Sequence, residues 1–287
     1  MKNYVILTDS SADLSAEIAK ELDIKVIDLM VMVDGEEPKR NREVDVTQFY
    51  GHLREKKGAT TAALNIDDFI SAIEPELKEG KDLLYLGFSS GLSGTYAAGK
   101  VAAEELAEKY PERKIYTVDT LCASLGQGLL VYLAAKKAEE GASIDTVRDF
   151  VEATKLNLCH WFTVDDLFFL KRGGRVSAAT AVLGTMLSIK PVMHVDNNGK
   201  LINMEKARGR RDSVNRLFEK CKASVIDAPS QTMFICHGDC IDDAQYLADR
   251  LKTELGVKEV IIGYTGAVIG AHSGPGTLAL FYIGTER

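Results

Sequence analysis

The chain has 287 residues, 46% of them apolar and 27% charged, which fits two ordinary globular domains or one large one. Lys and Arg number 35 against 42 Asp and Glu, a net charge of −7. That balance excludes a general nucleic-acid binder, whose affinity rests on phosphate neutralisation. No apolar run reaches the ~20 residues that span a bilayer. The start, Met1-Lys2-Asn3-Tyr4, runs into a strand with no signal peptide, and the five cysteines have no framework spacing. Reduced thiols in a cytoplasm are the simplest reading.

The apolar run Tyr4–Leu7 predicts a strand, and Asp13 predicts the N-cap of a helix ending near Leu22. Lys25–Val33 alternates and is rich in Val, Ile and Met, so one strand is expected there. Helices are expected at Val46–Lys57 and Asp67–Lys78, then a strand at Asp82–Phe88 and a helix at Thr95–Tyr110. A strand at Lys114–Val118 and helices at Leu121–Glu140 and Asp145–Leu158 complete the first half. This βα alternation predicts a parallel sheet covered by helices.

The second half reads as α+β. Strands are expected at Trp161–Val164, Lys190–Val195, Leu201–Lys206, Gln231–Cys236, Val257–Ile262 and Thr277–Tyr282. Asp196-Asn197-Asn198-Gly199 is a hairpin signal. Helices are expected at Ser177–Leu187, Arg210–Ala223 and Asp242–Glu254. The boundary falls near Asn157–Cys159, giving domains 1–158 and 159–287 that share a cleft.

Between the strand at Leu83–Leu86 and the next helix lies Ser89-Ser-Gly-Leu-Ser-Gly-Thr95. Such a turn at a helix N-terminus suits a small anionic or polar group. Gly94–Lys100 matches seven positions of a nucleotide loop, but Val101 replaces the hydroxyl that reaches Mg²⁺. Gly91-Leu-Ser93-Gly94 resembles a nucleophile elbow with Thr95 in place of its last Gly; His272 would be the base of an acyl hydrolase. Cys236-His-Gly-Asp-Cys240 lacks the second thiol pair of a zinc site and reads as a strand end. His272 lies in the turn Ala271–Thr277, and Leu170–Arg175 concentrates three cations in an acidic chain.

Five segments in this order resemble the DegV family: Thr8–Leu14, Ala59-Thr60-Thr61, Ser89–Tyr96, Leu170–Arg175 and Ala271–Thr277. The resemblance implies a two-domain α/β fold, with an N-terminal parallel-sheet domain, a C-terminal α+β domain and a ligand cleft between them. It implies a long-chain fatty acid as ligand and no metal or cofactor. It further implies a role as the fatty-acid-binding subunit of a bacterial fatty acid kinase. A separate ATP-binding subunit would form the acyl phosphate that feeds phospholipid synthesis, with transient membrane contact during transfer. By this similarity Thr61, Ser93, Gly94 and His272 hold the carboxyl head, while Arg172, Arg175 and Arg208 face the kinase. The chain departs from the family after Thr61, where Ala62-Ala63-Leu64 replaces Ser-Gln-Pro, and near Asp28, where a proline is usual.

The residues fit that implication. A fatty acid needs an apolar tunnel with a small polar cap. Thr61 and Ser93 are neutral donors, so a buried carboxylate held by them alone has a raised pKa. Two other readings stay open here: the Ser93/His272 hydrolase, and a lipid-dependent regulator with no kinase.

Overall fold

The computed structural model describes residues 3–177 and 189–287. The chain begins with β1 (Tyr4–Asp9), a 3₁₀ turn (Ser10–Ala12) and α1 (Ala16–Glu21). Asp13 is not the N-cap expected from the sequence. It closes the 3₁₀ turn in a left-handed conformation with φ 53°, and Ser15 caps α1 by accepting from Ile18 N. Asp tolerates this φ because its short side chain bonds locally.

The single strand expected at Lys25–Val33 is two: β2 (Ile24–Ile27) and β3 (Met30–Val33). Asp28 and Leu29 make the break. The Arg42 guanidinium donates to both Asp28 oxygens at 2.8–3.0 Å, and Leu29 N donates to Ser10 Oγ at 3.0 Å. The Leu29 bond takes a backbone N–H away from strand pairing and the Asp28 pair anchors the break, and the two halves enter different sheets. After β3 come β4 (Lys39–Arg40), α2 (Val46–Arg54) and β5 (Ala59–Ala62), and β3, β4 and β5 form a small antiparallel sheet. The short, Thr-rich β5 carries no alternating pattern, and the sequence does not signal it.

Next come α3 (Ile66–Lys78), closed by an Asn65/Asp68 capping box, β6 (Asp82–Gly87), α4 (Thr95–Lys109) and β7 (Ile115–Asp119). The expected parallel sheet is present, in the order β2-β1-β6-β7.

Two helices, α5 (Leu125–Glu139) and α6 (Ile144–Thr154), lead to the second sheet. Its strands are β8 (Leu158–Thr163), β9 (Ile189–Val195), β10 (Leu201–Arg208), β11 (Thr232–His237), β12 (Glu259–Tyr264) and β13 (Leu278–Ile283). The order is β10-β9-β8-β13-β11-β12, with β11/β12 parallel and the other pairs antiparallel. The β9–β10 hairpin turns at Asp196–Gly199 as expected, with Asp196 Oδ1 accepting from Asn198 N and Lys200 N. The helices of this half are α7 (Leu167–Arg172), α8 (Arg210–Ser224), α9 (Ile241–Leu255) and α10 (Ala267–Ser273). Both α7 and α10 are shorter than two full turns and unsignalled by periodicity. The helix expected at Ser177–Leu187 lies outside the described residues, apart from Ser177.

The central helix α5 explains how the halves join. Ten of its 15 residues are buried, and it packs on β1 and β6 on one side and on β8, β11 and β13 on the other. A helix buried all round is apolar all round. Gly126 and Gly128 permit the double contact. A Cβ on Gly126 would lie 2.2 Å from His160 Nε2, and one on Gly128 would lie 2.5 Å from the Ala12 carbonyl. One continuous core therefore includes side chains of both sheets, from Ile6 and Leu84 to Phe234 and Phe281.

Candidate functional site

A cavity of about 250 Å³ lies where the two sheets meet. Phe88 and Leu92 from the first half and Phe162, Val195 and Phe281 from the second make apolar walls. Thr61, Ser93, Gly94, Arg175 and His272 also line it. All four residues expected at a ligand head group are thus brought to one cavity.

His272 sits on α10, which packs against β3 and β5 of the first half and against α7. That docking carries it to Thr61 on β5, and Thr61 Oγ1 and His272 Nε2 are 2.8 Å apart. Burial, followed by the Arg175 and Arg172 cations, pushes the imidazole pKa down to about 4. A neutral ring therefore faces the cavity at physiological pH. Gly173 leaves room for it, since a Cβ there would lie 2.4 Å from His272 Nδ1.

Ser93 closes the turn before α4. Its Oγ accepts from Thr95 N at 3.2 Å and lies 3.0 Å from Thr95 Oγ1. With His272 Nε2 on Thr61 and Ser93 Oγ on Thr95, the Ser–His bond that activates a nucleophile is not formed. The hydrolase reading is not favoured.

The turn itself is not an open anion cradle. Phe88 N donates to Asp9 Oδ2, Ser89 N to Cys122 O, Ser90 N to Asp119 Oδ1 and Gly91 N to Ser89 Oγ. Leu92 N and Ser93 N both donate to Ser89 O. The N–H groups from Phe88 to Ser93 are thereby used inside the protein, which leaves Gly94 and the Ser93 hydroxyl for a ligand. Gly99 is buried within α4 against Tyr85 and Phe69, so the nucleotide-loop spacing there is a packing feature.

The resemblance gives Arg175 a place facing the kinase. In the structure it is half-buried in the cavity wall, with Nε donating to Leu92 O at 3.1 Å and Nη1 donating to Gly173 O. Burial lowers its pKa, and no carboxylate pairs with it among the described residues. Arg172 is exposed, over the Phe169 ring at 5.0 Å, with Nη2 donating to Ala271 O. Arg208 is exposed at the end of β10, opposite Ile189, and does not line the cavity.

Several lining residues carry no sequence signal. His160 forms part of the wall as a neutral ring, its pKa driven well down by burial. Its Nε2 accepts from Ala123 N and its Nδ1 meets Leu158 O. Ser124 and Thr265, in contexts that resemble no motif, also line the cavity, together with Cys236 from the strand end at Cys236–Cys240. Ala63, from the segment departing from the family pattern, lines it too, while Leu64 is buried.

A sequence model described as "Uncharacterised protein, DegV family" matches residues 3–285. The chain belongs to the DegV family. A DegV domain-containing protein of Clostridium perfringens is 46% identical over 289 residues, covering 100% of this chain and 99% of that protein. Among solved DegV structures, one from Thermus thermophilus, described by its fatty acid binding, is 30% identical with a TM-score of 0.87. It covers 98% of this chain, and 99% of its own length is matched. The Bacillus subtilis DegV protein, described as a fatty acid binding protein, is 28% identical with a TM-score of 0.85, covering 99% and 100%. The fold of this DegV chain, including its parallel first sheet, is the fold of those structures. Among the described residues, no helix is long and apolar enough to cross a membrane.

Proposed function

We propose that this DegV chain is a cytoplasmic carrier that binds one long-chain fatty acid in the cleft between units 1–158 and 159–287. In this reading it presents the carboxylate to a separate ATP-dependent kinase subunit, which makes the acyl phosphate used in phospholipid synthesis. The observation that carries the reading is the cavity: apolar walls closed by Thr61, Ser93, His272 and the Arg175 guanidinium. Relatives of the same fold described as fatty-acid-binding proteins support it.

The division of labour follows from the chemistry. Burying each CH₂ is worth roughly 0.8 kcal/mol, so about 15 of them contribute on the order of 12 kcal/mol before immobilisation costs. The tail supplies affinity and the cap fixes register. Thr61 and Ser93 donate hydrogen bonds to the carboxylate, and Arg175 supplies the counter-charge that the neutral donors lack. The bound acid then stays ionised, as a phosphoryl acceptor must be. The chain contributes proximity and orientation, and Mg²⁺ and ATP belong to the partner. Exposed Arg172 and Arg208 are the docking cations of this reading.

The kinase half is tested by loading the protein with fatty acid and incubating it with cell extract, ATP and hydroxylamine. Acyl phosphate is trapped as a hydroxamate. The reading expects hydroxamate with the wild type and its loss with Arg172→Ala at unchanged fatty-acid affinity. A wild-type protein that yields none in extracts able to phosphorylate fatty acids contradicts it.

A further inference from the structure

Ser93 lines the cavity from the turn that precedes α4, and Ser89 fixes the main chain of that turn. The Ser89 carbonyl accepts from Leu92 N and Ser93 N. Its Oγ accepts from Gly91 N at 3.2 Å and donates to Gly199 O, at the tip of the β9–β10 hairpin, at 2.8 Å. What stays adjustable at Ser93 is the direction of its hydroxyl proton. That direction decides whether Ser93 offers a ligand a donor or an acceptor.

Thr95, the first residue of α4, sets it. Its side chain is fully buried, and among the described residues Ser93 Oγ is the one hydrogen-bond partner of Thr95 Oγ1, at 3.0 Å. The Thr95 N–H is a donor that the start of a helix leaves without an intrahelical acceptor. It too goes to Ser93 Oγ, at 3.2 Å. Both polar hydrogens of Thr95 thus converge on the same oxygen.

Two hydroxyls at 3.0 Å share one proton, and either can give it. If Ser93 gave it, the Thr95 proton would be buried without an acceptor, which is costly. If Thr95 gives it, no buried proton is stranded. Ser93 Oγ then accepts twice, from Thr95 N and from Thr95 Oγ1, and its acceptor capacity is filled. Its own proton remains for a group in the cavity that Ser93 lines.

We propose that Thr95 is a positioning residue for the head group: its hydroxyl and N–H together hold Ser93 as a hydrogen-bond donor, so that this end of the cavity takes an acceptor such as the carboxylate of a fatty acid. This rests on the fatty-acid reading above. Thr95 is not among the residues that line the cavity, so it acts through Ser93 and not on the ligand.

The test is a calorimetric titration of octadecanoic acid into the wild type, Thr95→Val, Thr95→Ser, Ser93→Ala and the Thr95→Val/Ser93→Ala double variant. Thr95→Val is expected to bind about fivefold weaker, and Thr95→Ser, which keeps the hydroxyl, within about twofold of the wild type. On the Ser93→Ala background Thr95→Val should cost nothing further, whereas a merely structural role would weaken both backgrounds alike. Full affinity in Thr95→Val, or an equal loss on both backgrounds, overturns the inference and leaves the fatty-acid reading standing. If the wild type takes up no octadecanoic acid, the fatty-acid reading falls and this inference with it. Thr95→Ala runs the same cycle if Thr95→Val does not fold.

Discussion

Thr61 Oγ1 and His272 Nε2 are 2.8 Å apart although 211 residues separate them in the chain. The contact joins a three-stranded sheet of the first half to a short helix near the end, and it closes one end of the cavity. Thr61→Val keeps the shape and removes the hydroxyl. The expected loss is about 0.5–2 kcal/mol, or roughly twofold to thirtyfold weaker fatty-acid binding, by calorimetry. An unchanged affinity would remove Thr61 from the head-group site.

Gly173→Ala tests how the ring is held. Gly173 has φ −74°, which alanine adopts freely, so the backbone is not strained and the protein should still fold. Its Cβ would stand 2.4 Å from His272 Nδ1 and displace the imidazole. Affinity should fall about tenfold, close to the effect of His272→Ala. Full affinity with an intact fold would show that the ring position is immaterial.

Two buried groups give stability opposite pH slopes. Burial raises the Asp13 carboxyl to about 7 from 3.8; its Oδ1 is inaccessible though the residue is partly exposed at its surface. Folded protein therefore binds this proton more tightly than unfolded protein. The stabilisation is present below pH ~4 and is lost as pH rises toward 7, by about 4 kcal/mol at most. Asparagine also tolerates the φ of 53°, so Asp13→Asn should gain on the wild type as pH rises through this window. His272 runs the other way. Its folded pKa of about 4 lies below 6.5, so its contribution is intact above pH 6.5 and is lost as pH falls toward 4. His272→Gln should gain on the wild type as the solution is acidified. Denaturant melts from pH 4 to 8 measure both, and parallel curves for all three proteins would refute the assignments.

Arg175→Met should leave the bound carboxylate without its counter-charge. Its pKa, followed by NMR with carboxyl-¹³C fatty acid, is expected to rise relative to the wild-type complex. Affinity at pH 7 should fall about tenfold. An unmoved carboxyl titration would mean that Arg175 does not pair with the acid.

Most of the regular elements were legible from periodicity and caps, because the buried strands and long helices obey them. The failures have local causes. Asp13 looks like a cap but serves a left-handed turn, and Ser15 takes its place. Lys25–Val33 alternates throughout, yet Asp28 ties itself to Arg42 and splits the run. In the site, Thr61, Ser93 and His272 sit in segments with a recognisable order. The cavity position of Arg175 was not legible, because a basic turn reads alike whether it faces solvent or lies beside Leu92. Thr265, Ser124 and Cys236 meet only through tertiary packing around α5 and α10.

The most direct test of the carrier reading is to purify the protein from cells, denature it and identify extracted lipid by mass spectrometry. The account predicts about one fatty acid per chain, and the same stoichiometry when stripped protein is reloaded. Protein that is empty as purified and takes up no added fatty acid would contradict it.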